Sequence, residues 1–384
     1  MKKFFGKTPA DYVASCGRCL DVIFDEKSPD DKVARSFSKL EKNLKDMTII
    51  LYGDGEKPVD PNKITKLIRE FRQSNLVTRL VMNIHELGFE VPKSLSKILC
   101  FWLHDKSTYN DAIGYFTVNP QLIPHLIRHF EKEEVSLPSA NIVKEALIHP
   151  QLLKPALEEK GGALVFKVLD YVALKDVAFA SEAYGMLDAI INCRLSKDQN
   201  ISADMQKEHL KLVAKWLEKN KTAFWKKVHT FMEPNGAHLM MEQMLKLVYQ
   251  ILKTHRNYYV MIDYINDPNN LTRIMKLLRV PNKKIQVMAF NVFKIFVANP
   301  KKEPAIVEIL LPNREKIQNF LKSIGDDDEL DGKFEDDLEV LKEQLKELKA
   351  LDKKPKEDNK SSEQPKSEPT KKRICRGAKV TSGY

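Results

Sequence analysis

The sequence predicts an all-α fold, a right-handed solenoid of stacked helical repeats of the armadillo/HEAT kind. Three observations carry that reading: helix starts written repeatedly in the same chemistry, apolar residues recurring every three and four positions, and only 14 glycines in 384 residues. Scarce glycine argues against phosphate-cradling loops and many tight β-turns, and it favours helices joined by short corners. Strict apolar–polar alternation over a strand's length is absent.

The helix starts come first. Thr8-Pro9-Ala10-Asp11, Ser28-Pro29-Asp30-Asp31, Asp60-Pro61 and Asp267-Pro268 each set a capping oxygen before a proline. The oxygen accepts from orphan backbone N–H groups, and proline at the first helical position forfeits no hydrogen bond. Between such starts, Ile64, Leu67, Ile68 and Phe71 form one stripe, Ile142, Ala146 and Leu147 another, and Leu210, Val213, Trp216 and Leu217 a third. The segment Ile285–Ala298 is apolar at 11 of its 14 positions, so it must be enclosed on most sides, as in the inner layer of a solenoid. Asn291 and Lys294 interrupt it on one face, which makes them candidates for partner contact.

A faint repeat accompanies these helices. The pattern of a small or apolar residue, a large apolar one, and a second large apolar three places on occurs as Ala183-Tyr184…Leu187, Met244-Leu245…Val248 and Ala289-Phe290…Phe293. The last two lie 45 residues apart, within the armadillo/HEAT range. The first interval is 61 residues and requires an insertion, which Ser196–Asp204 and a lengthened following helix would supply. Glu339–Leu351 reads as a final amphipathic helix. Beyond it Lys, Glu, Ser and Pro dominate, with too little apolar surface to offset ordering entropy. The expected organisation is one repeat domain over 1–350 and a disordered basic tail over 351–384.

Charge points away from a nucleic-acid surface on the body. Of the net +10, the tail's ten basic and five acidic side chains account for +5, leaving only +5 for the other 350 residues. Five scattered cysteines fit a reducing compartment better than a disulfide framework. Met1-Lys2-Lys3-Phe4-Phe5-Gly6 opens no apolar run of signal length, and no segment reaches a membrane span. The cytoplasm is the expected location.

Constellations that carry chemistry elsewhere fall short here. Cys16-Gly17-Arg18-Cys19 lacks the second ligand pair of a zinc site and lies inside a helical pattern. His125 and His129 stand i, i+4, but Leu126 occupies the place of the catalytic glutamate and the sequence nominates no third ligand. Read as a calcium loop from Asp327, the segment Gly325–Gly332 puts Leu338 where a bidentate glutamate is needed. There is no Gly-x-Gly-x-x-Gly, no Walker loop, no His-Arg-Asp or Asp-Phe-Gly triplet and no nucleophile elbow. The expectation is a non-catalytic binding protein with no cofactor and no metal. Lys371-Lys372-Arg373 with Arg376 supports the alternative of a nucleic-acid or nuclear-transport adaptor.

Several short stretches resemble one family. They are Phe5-Gly6-Lys7, Pro9-Ala10-Asp11, Ile50-Leu51-Tyr52-Gly53 with Glu56-Lys57, and Ala180-Ser181-Glu182-Ala183. The densest run is Asn270-Leu271, Met275, Leu277-Leu278-Arg279, Ile285-Gln286, Ala289-Phe290, Val292-Phe293-Lys294 and Phe296-Val297-Ala298-Asn299-Pro300. The chain is similar to the Mo-twenty-five (calcium-binding protein 39) scaffold family. That resemblance implies a crescent of armadillo-like repeats whose concave face holds a sterile-twenty-type kinase or pseudokinase in an active-like conformation. It implies a ternary complex with a liver-kinase-B-like kinase, and a pocket in the last repeats for a Trp-Glu-Phe-like peptide. Met275 then matches the pocket methionine, and Lys246 and Tyr258 match concave-face positions. Glu242 and His255 replace arginines and Pro312 a lysine, and Glu242 would repel an acidic partner group.

Overall fold

The computed structural model describes residues 7–55, 59–193, 202–233, 236–325, 339–346 and 348. Helix α1 spans Pro9–Ile23, α2 Asp30–Tyr52, α3 Pro61–Gln73 and α4 Leu76–Met82. Next come α5 (Glu90–His104), α6 (Tyr109–Val118), α7 (Leu122–Arg128) and α8 (Glu133–Leu147). Helices α9 (Pro150–Glu158), α10 (Ala163–Val172), α11 (Val177–Asn192) and α12 (Ala203–His229) follow. The chain continues with α13 (His238–Lys253), α14 (Tyr258–Ile265), α15 (Pro268–Leu277), α16 (Lys283–Ala298) and α17 (Pro304–Gly325). A last helix, α18, covers 339–346. No strand occurs among the described residues, and none of their helices is long and apolar enough to cross a membrane.

The helices sort into two rows. In one, α2, α5, α8, α11, α13 and α16 pack each against the next, which makes a ladder. Helix α18 continues it, with Leu341 and Leu345 buried and Val340 and Leu341 facing α13 and α16 across a groove. The other row runs α1, α3/α4, α6/α7, α9/α10, α12, α14/α15 and α17, stacked in the same order. This is the stacked-repeat architecture that the periodicity predicts. The three copies of the faint repeat fall on α11, α13 and α16, consecutive rungs of the ladder, and all nine of the residues that define it are buried.

Most predicted starts hold. Thr8 and Asp11 form a reciprocal capping box, the Thr8 N–H donating to Asp11 Oδ2 at 2.9 Å, and Asp60 and Asp267 each accept a backbone N–H. The Ser28 start is corrected by one residue. The Ser28 hydroxyl donates to Asp25 instead, Pro29 is extended, and α2 begins at Asp30 with no side-chain cap. The third stripe is corrected as well. Leu210 is only half-buried, and His209 takes the fully buried place above Val213 and Trp216. Its ring nitrogens face two backbone carbonyls, Ile148 O at 3.1 Å and Ile190 O at 2.7 Å. The insertion expected between the first two repeat copies resolves into the 27-residue α12; residues 194–201 and the 351–384 tail lie outside the described residues.

One junction depends on glycine. Lys160, Gly161 and Gly162 all take positive φ between α9 and α10, and Trp216 Nε1 donates to Gly161 O at 3.1 Å. A Cβ on Gly162, at φ 85°, would lie 2.3 Å from Trp216 Nε1. Left-handed backbone and overpacking each cost on the order of 1–2 kcal/mol. Gly162→Ala should therefore destabilise the fold by about 2–4 kcal/mol, read as a drop in urea midpoint.

Five histidines should make stability fall with acid. Burial lowers His125, His129, His149, His209 and His229 below their usual range, His129 and His229 to about 4. Unfolded chains bind these protons near pH 6.5 and the folded chain does not, so stability rises with pH across that window. It is fully present above about pH 6.5 and is lost progressively down towards about pH 4. In metal-free buffer the urea midpoint should be lower at pH 5 than at pH 7.5, followed by circular dichroism.

Candidate partner-binding surface

The inner ladder helices α5, α8, α11 and α13 bury their apolar sides against two neighbours and against the second row, which leaves a limited strip of each facing solvent. Those strips carry the polar residues. On α5 they are Lys97 and Cys100, with buried Ser96 beneath them, on α8 Asn141, Lys144 and Glu145, and on α11 Gly185 and Asp188. With Tyr52 from the end of α2 and Lys246 from α13, they line one groove of about 600 Å³. Packed helices sit about 8–10 Å apart, so a flat row would hold α2 and α13 roughly 32–40 Å from each other. Sharing a groove of this size requires the row to bend, and this face is the concave one.

The groove is mixed in sign. Lys144 Nζ pairs with Glu182 of α11 at 3.2 Å, and both groups are partly shielded from solvent. The hydroxyl of Tyr52 donates to Lys97 O at 3.0 Å while its ring meets Phe101 edge-on. Gly185 leaves room for the Lys144 stem, whose Cδ would be 3.8 Å from an added Cβ. Burial, and then the Glu145 carboxylate, push the Cys100 thiol up to about 12, so it stays protonated and is a poor nucleophile near neutral pH. Cys16 and Cys19 lie buried within α1, as the helical pattern around them requires, with Cys16 also at about 12 from burial.

A second groove closes the C-terminal end. It measures about 320 Å³ and lies between Tyr249, Leu252 and Lys253 of α13, Asn291, Lys294, Ile295 and Ala298 of α16, and Val340, Leu341 and Gln344 of α18. Its floor is apolar. The Lys294 ammonium lies 5.3 Å from the centre of the Phe290 ring, and that of Lys253 lies 5.6 Å from the Tyr249 ring.

The structure thus brings Asn291 and Lys294 together in the C-terminal groove and puts Lys246 in the concave one. Glu242 sits one turn before Lys246 on α13 and is half-buried. His255 and Tyr258 stand exposed at the corner between α13 and α14, where the Tyr258 ring meets Tyr259 at 5.6 Å. Met275, on α15, packs half-buried against the core, and Pro312 is exposed on α17; both helices belong to the second row, and neither residue lines either groove. Tyr52, Lys97, Asn141, Lys144 and Asp188 are the contributors that sequence reasoning passed over. Lys97, Asn141, Lys144 and Asp188 carried the signal that singled out Asn291 and Lys294, polar residues spaced along a largely apolar helix, whereas Tyr52, at the end of the charged α2, did not.

The calcium-like segment lies almost wholly outside the described residues. For the histidine pair, the absence of a third ligand is corrected: His85, remote in sequence, approaches both His125 and His129.

Leu345 is fully buried, and the docking of α18 depends on it together with Leu341. Repeats at the end of an array have one neighbour only and open locally at low cost. Leu345→Asp should undock α18, so that amide hydrogen exchange over 339–346 accelerates at least tenfold while the amides of α8 keep their protection.

Comparison with known proteins adds a family model described as Mo25-like, which matches residues 1–349. The chain is 28% identical over 344 residues to calcium-binding protein 39-like of Homo sapiens, covering 89% of this chain and 96% of that one. It is 28% identical over 333 residues to the Mo25-like protein of Schizosaccharomyces pombe, covering 86% and 95%. An MO25-like protein of Arabidopsis thaliana is 30% identical over 317 residues, covering 82% and 86%.

Proposed function

The chain belongs to the Mo25-like family, and from that premise we propose that it is a non-catalytic cytoplasmic scaffold for a sterile-twenty-type kinase or pseudokinase. The partner's folded domain lies in the concave groove and is held there in an active-like conformation. The observation that carries this reading is that five successive ladder helices contribute to one groove. A surface assembled from that many rigid elements suits a rounded protein partner far better than a small substrate, which needs convergent groups on a few atoms.

The C-terminal groove supplies the anchor. An aromatic side chain buries about 150–250 Å², and at about 25 cal/mol per Å² each one enclosed there contributes several kcal/mol before ordering costs. A partner segment bearing two aromatics would pack them against Leu252, Ile295 and Ala298, with Asn291 and Lys294 at the rim for its polar groups. The departures at Glu242 and His255 alter charge next to the groove, so the partner is expected to differ in its complementary residues from that of relatives with arginine there. The nucleic-acid alternative rests on the tail, which lies outside the described residues, and the comparisons do not favour it.

The test is affinity purification of the full chain followed by mass spectrometry, and then direct binding to the kinase or pseudokinase recovered. Lys246→Glu combined with Lys97→Glu should weaken that binding at least tenfold, and Ile295→Glu should abolish binding of an isolated aromatic C-terminal peptide. Recovery of no kinase or pseudokinase, or unaltered affinity in both variants, would overturn the reading.

A further inference from the structure

The second row holds a cluster that partner binding does not use. His125 lies within α7 and His129 caps its C-terminus, one turn apart. The third imidazole, His85, comes from the single 3₁₀ turn Ile84–Glu86 between α4 and α5. Packing of α4 on α7 carries that turn across to the histidine pair. The ring of His85 stacks on that of His129 with centroids 4.0 Å apart, and the His125 ring stands edge-on to His129 at 4.3 Å. One nitrogen from each ring lies within 4.8 Å of the other two.

The hydrogen bonds show which nitrogens are free. His125 Nε2 is buried with no hydrogen-bond partner, and the Met82 carbonyl interacts with the same ring; with Nδ1 turned to that carbonyl as donor, Nε2 keeps its lone pair. His85 Nε2 lies 3.2 Å from Glu86 Oε1, while His85 Nδ1 is buried and unpartnered. A buried polar atom left without a partner costs on the order of 1–3 kcal/mol, and two in one cluster need a reason. In metal sites, a carbonyl or carboxylate commonly fixes the tautomer on one side of an imidazole and turns the other lone pair to the ion.

We propose that His85, His125 and His129 form a binding site for a late first-row divalent metal, zinc being the physiological candidate, which clips the α4–α5 turn to α7. Three imidazoles suit zinc, copper or nickel, and they do not suit calcium or magnesium, which take oxygen ligands. Ligands at about 2.0–2.1 Å in tetrahedral array put their nitrogens roughly 3.4 Å apart. Closure thus asks the rings to draw in by about 1 Å or somewhat more, and the stacked His85 and His129 rings to turn apart. Both side chains are half-buried, His85 being 18% exposed, which leaves the fourth position to water or a partner residue. Arg128 and Lys132 disfavour positive charge at His129, and the Glu86 carboxylate beside His85 opposes them. The bound ion would brace two successive repeats of the second row, opposite the concave groove.

The test uses the full-length protein stripped with chelator and titrated with Co²⁺ as a spectroscopic stand-in for zinc. One equivalent should bind with the visible bands of a four- or five-coordinate ion, Zn²⁺ should displace it, and Ca²⁺ should not. His85→Gln with His129→Gln should remove binding, His104→Gln should leave it unchanged, and Glu86→Gln should weaken it about 10–100-fold through the His85 ring. No saturable uptake at micromolar Co²⁺, or equal affinity in the wild type and the double variant, would overturn the proposal. If the double variant does not fold, zinc-edge anomalous diffraction from Zn²⁺-soaked wild-type crystals decides. A peak within bonding distance of all three nitrogens supports the site, and its absence refutes it.

Discussion

The ladder depends on helices that are too apolar to stand alone. In α16, beyond Lys283 and Lys284 of its first turn, only Gln286, Asn291 and Lys294 break a hydrophobic surface, and Ile285, Ala289, Phe290, Val292, Phe293, Phe296 and Val297 are all buried. Such a helix is stable only with α13 on one side, another helix on the other and the second row behind it. Each rung has the same requirement and passes it to the next. At the C-terminal end α18 meets it, burying Leu341 and Leu345 with a helix whose other side is polar.

Function follows from what this packing leaves over. Once three sides of a rung are enclosed, the fourth is a strip one or two residues wide, and strips from successive rungs assemble into a surface that no single segment of chain possesses. Curvature then brings Tyr52 and Lys246 to the same groove. The rigidity of the row holds Lys144, Glu182 and Lys97 in place, so a partner can be met with little ordering cost. The same arithmetic explains why the surface is polar and mixed in sign: the apolar positions have already been used for stacking.

The second row obeys a looser rule. Apart from the long α12 and α17 its helices are mostly shorter, and 3₁₀ turns interrupt it at Ile84–Glu86, Glu159–Gly161 and His255–Asn257. It is in such turns and corners that the local patterns were least readable. Thr8, Asp60 and Asp267 behave as caps because the chemistry of a cap is complete within four residues. Ser28 does not, because Asp25 claims its hydroxyl. His209 replaces Leu210 in the buried stripe, since two carbonyls from other helices await its ring nitrogens, which periodicity alone cannot register. Asn291 and Lys294 were legible as a polar strip on an apolar helix, whereas Met275 and Tyr258, singled out by the resemblance alone, stand on other elements.

What the amino-acid sequence determined by itself was the helical class, the starts of α1, α3 and α15, and the enclosure of α16. All of these rest on contacts between residues three or four apart, whose energies are written locally. What only the tertiary structure decided was the bend of the ladder, the joining of five strips into one groove and the meeting of His85 with His125 and His129. Those depend on distances between residues far apart in the chain, set by the summed packing of many side chains, and no short stretch of sequence carries that sum.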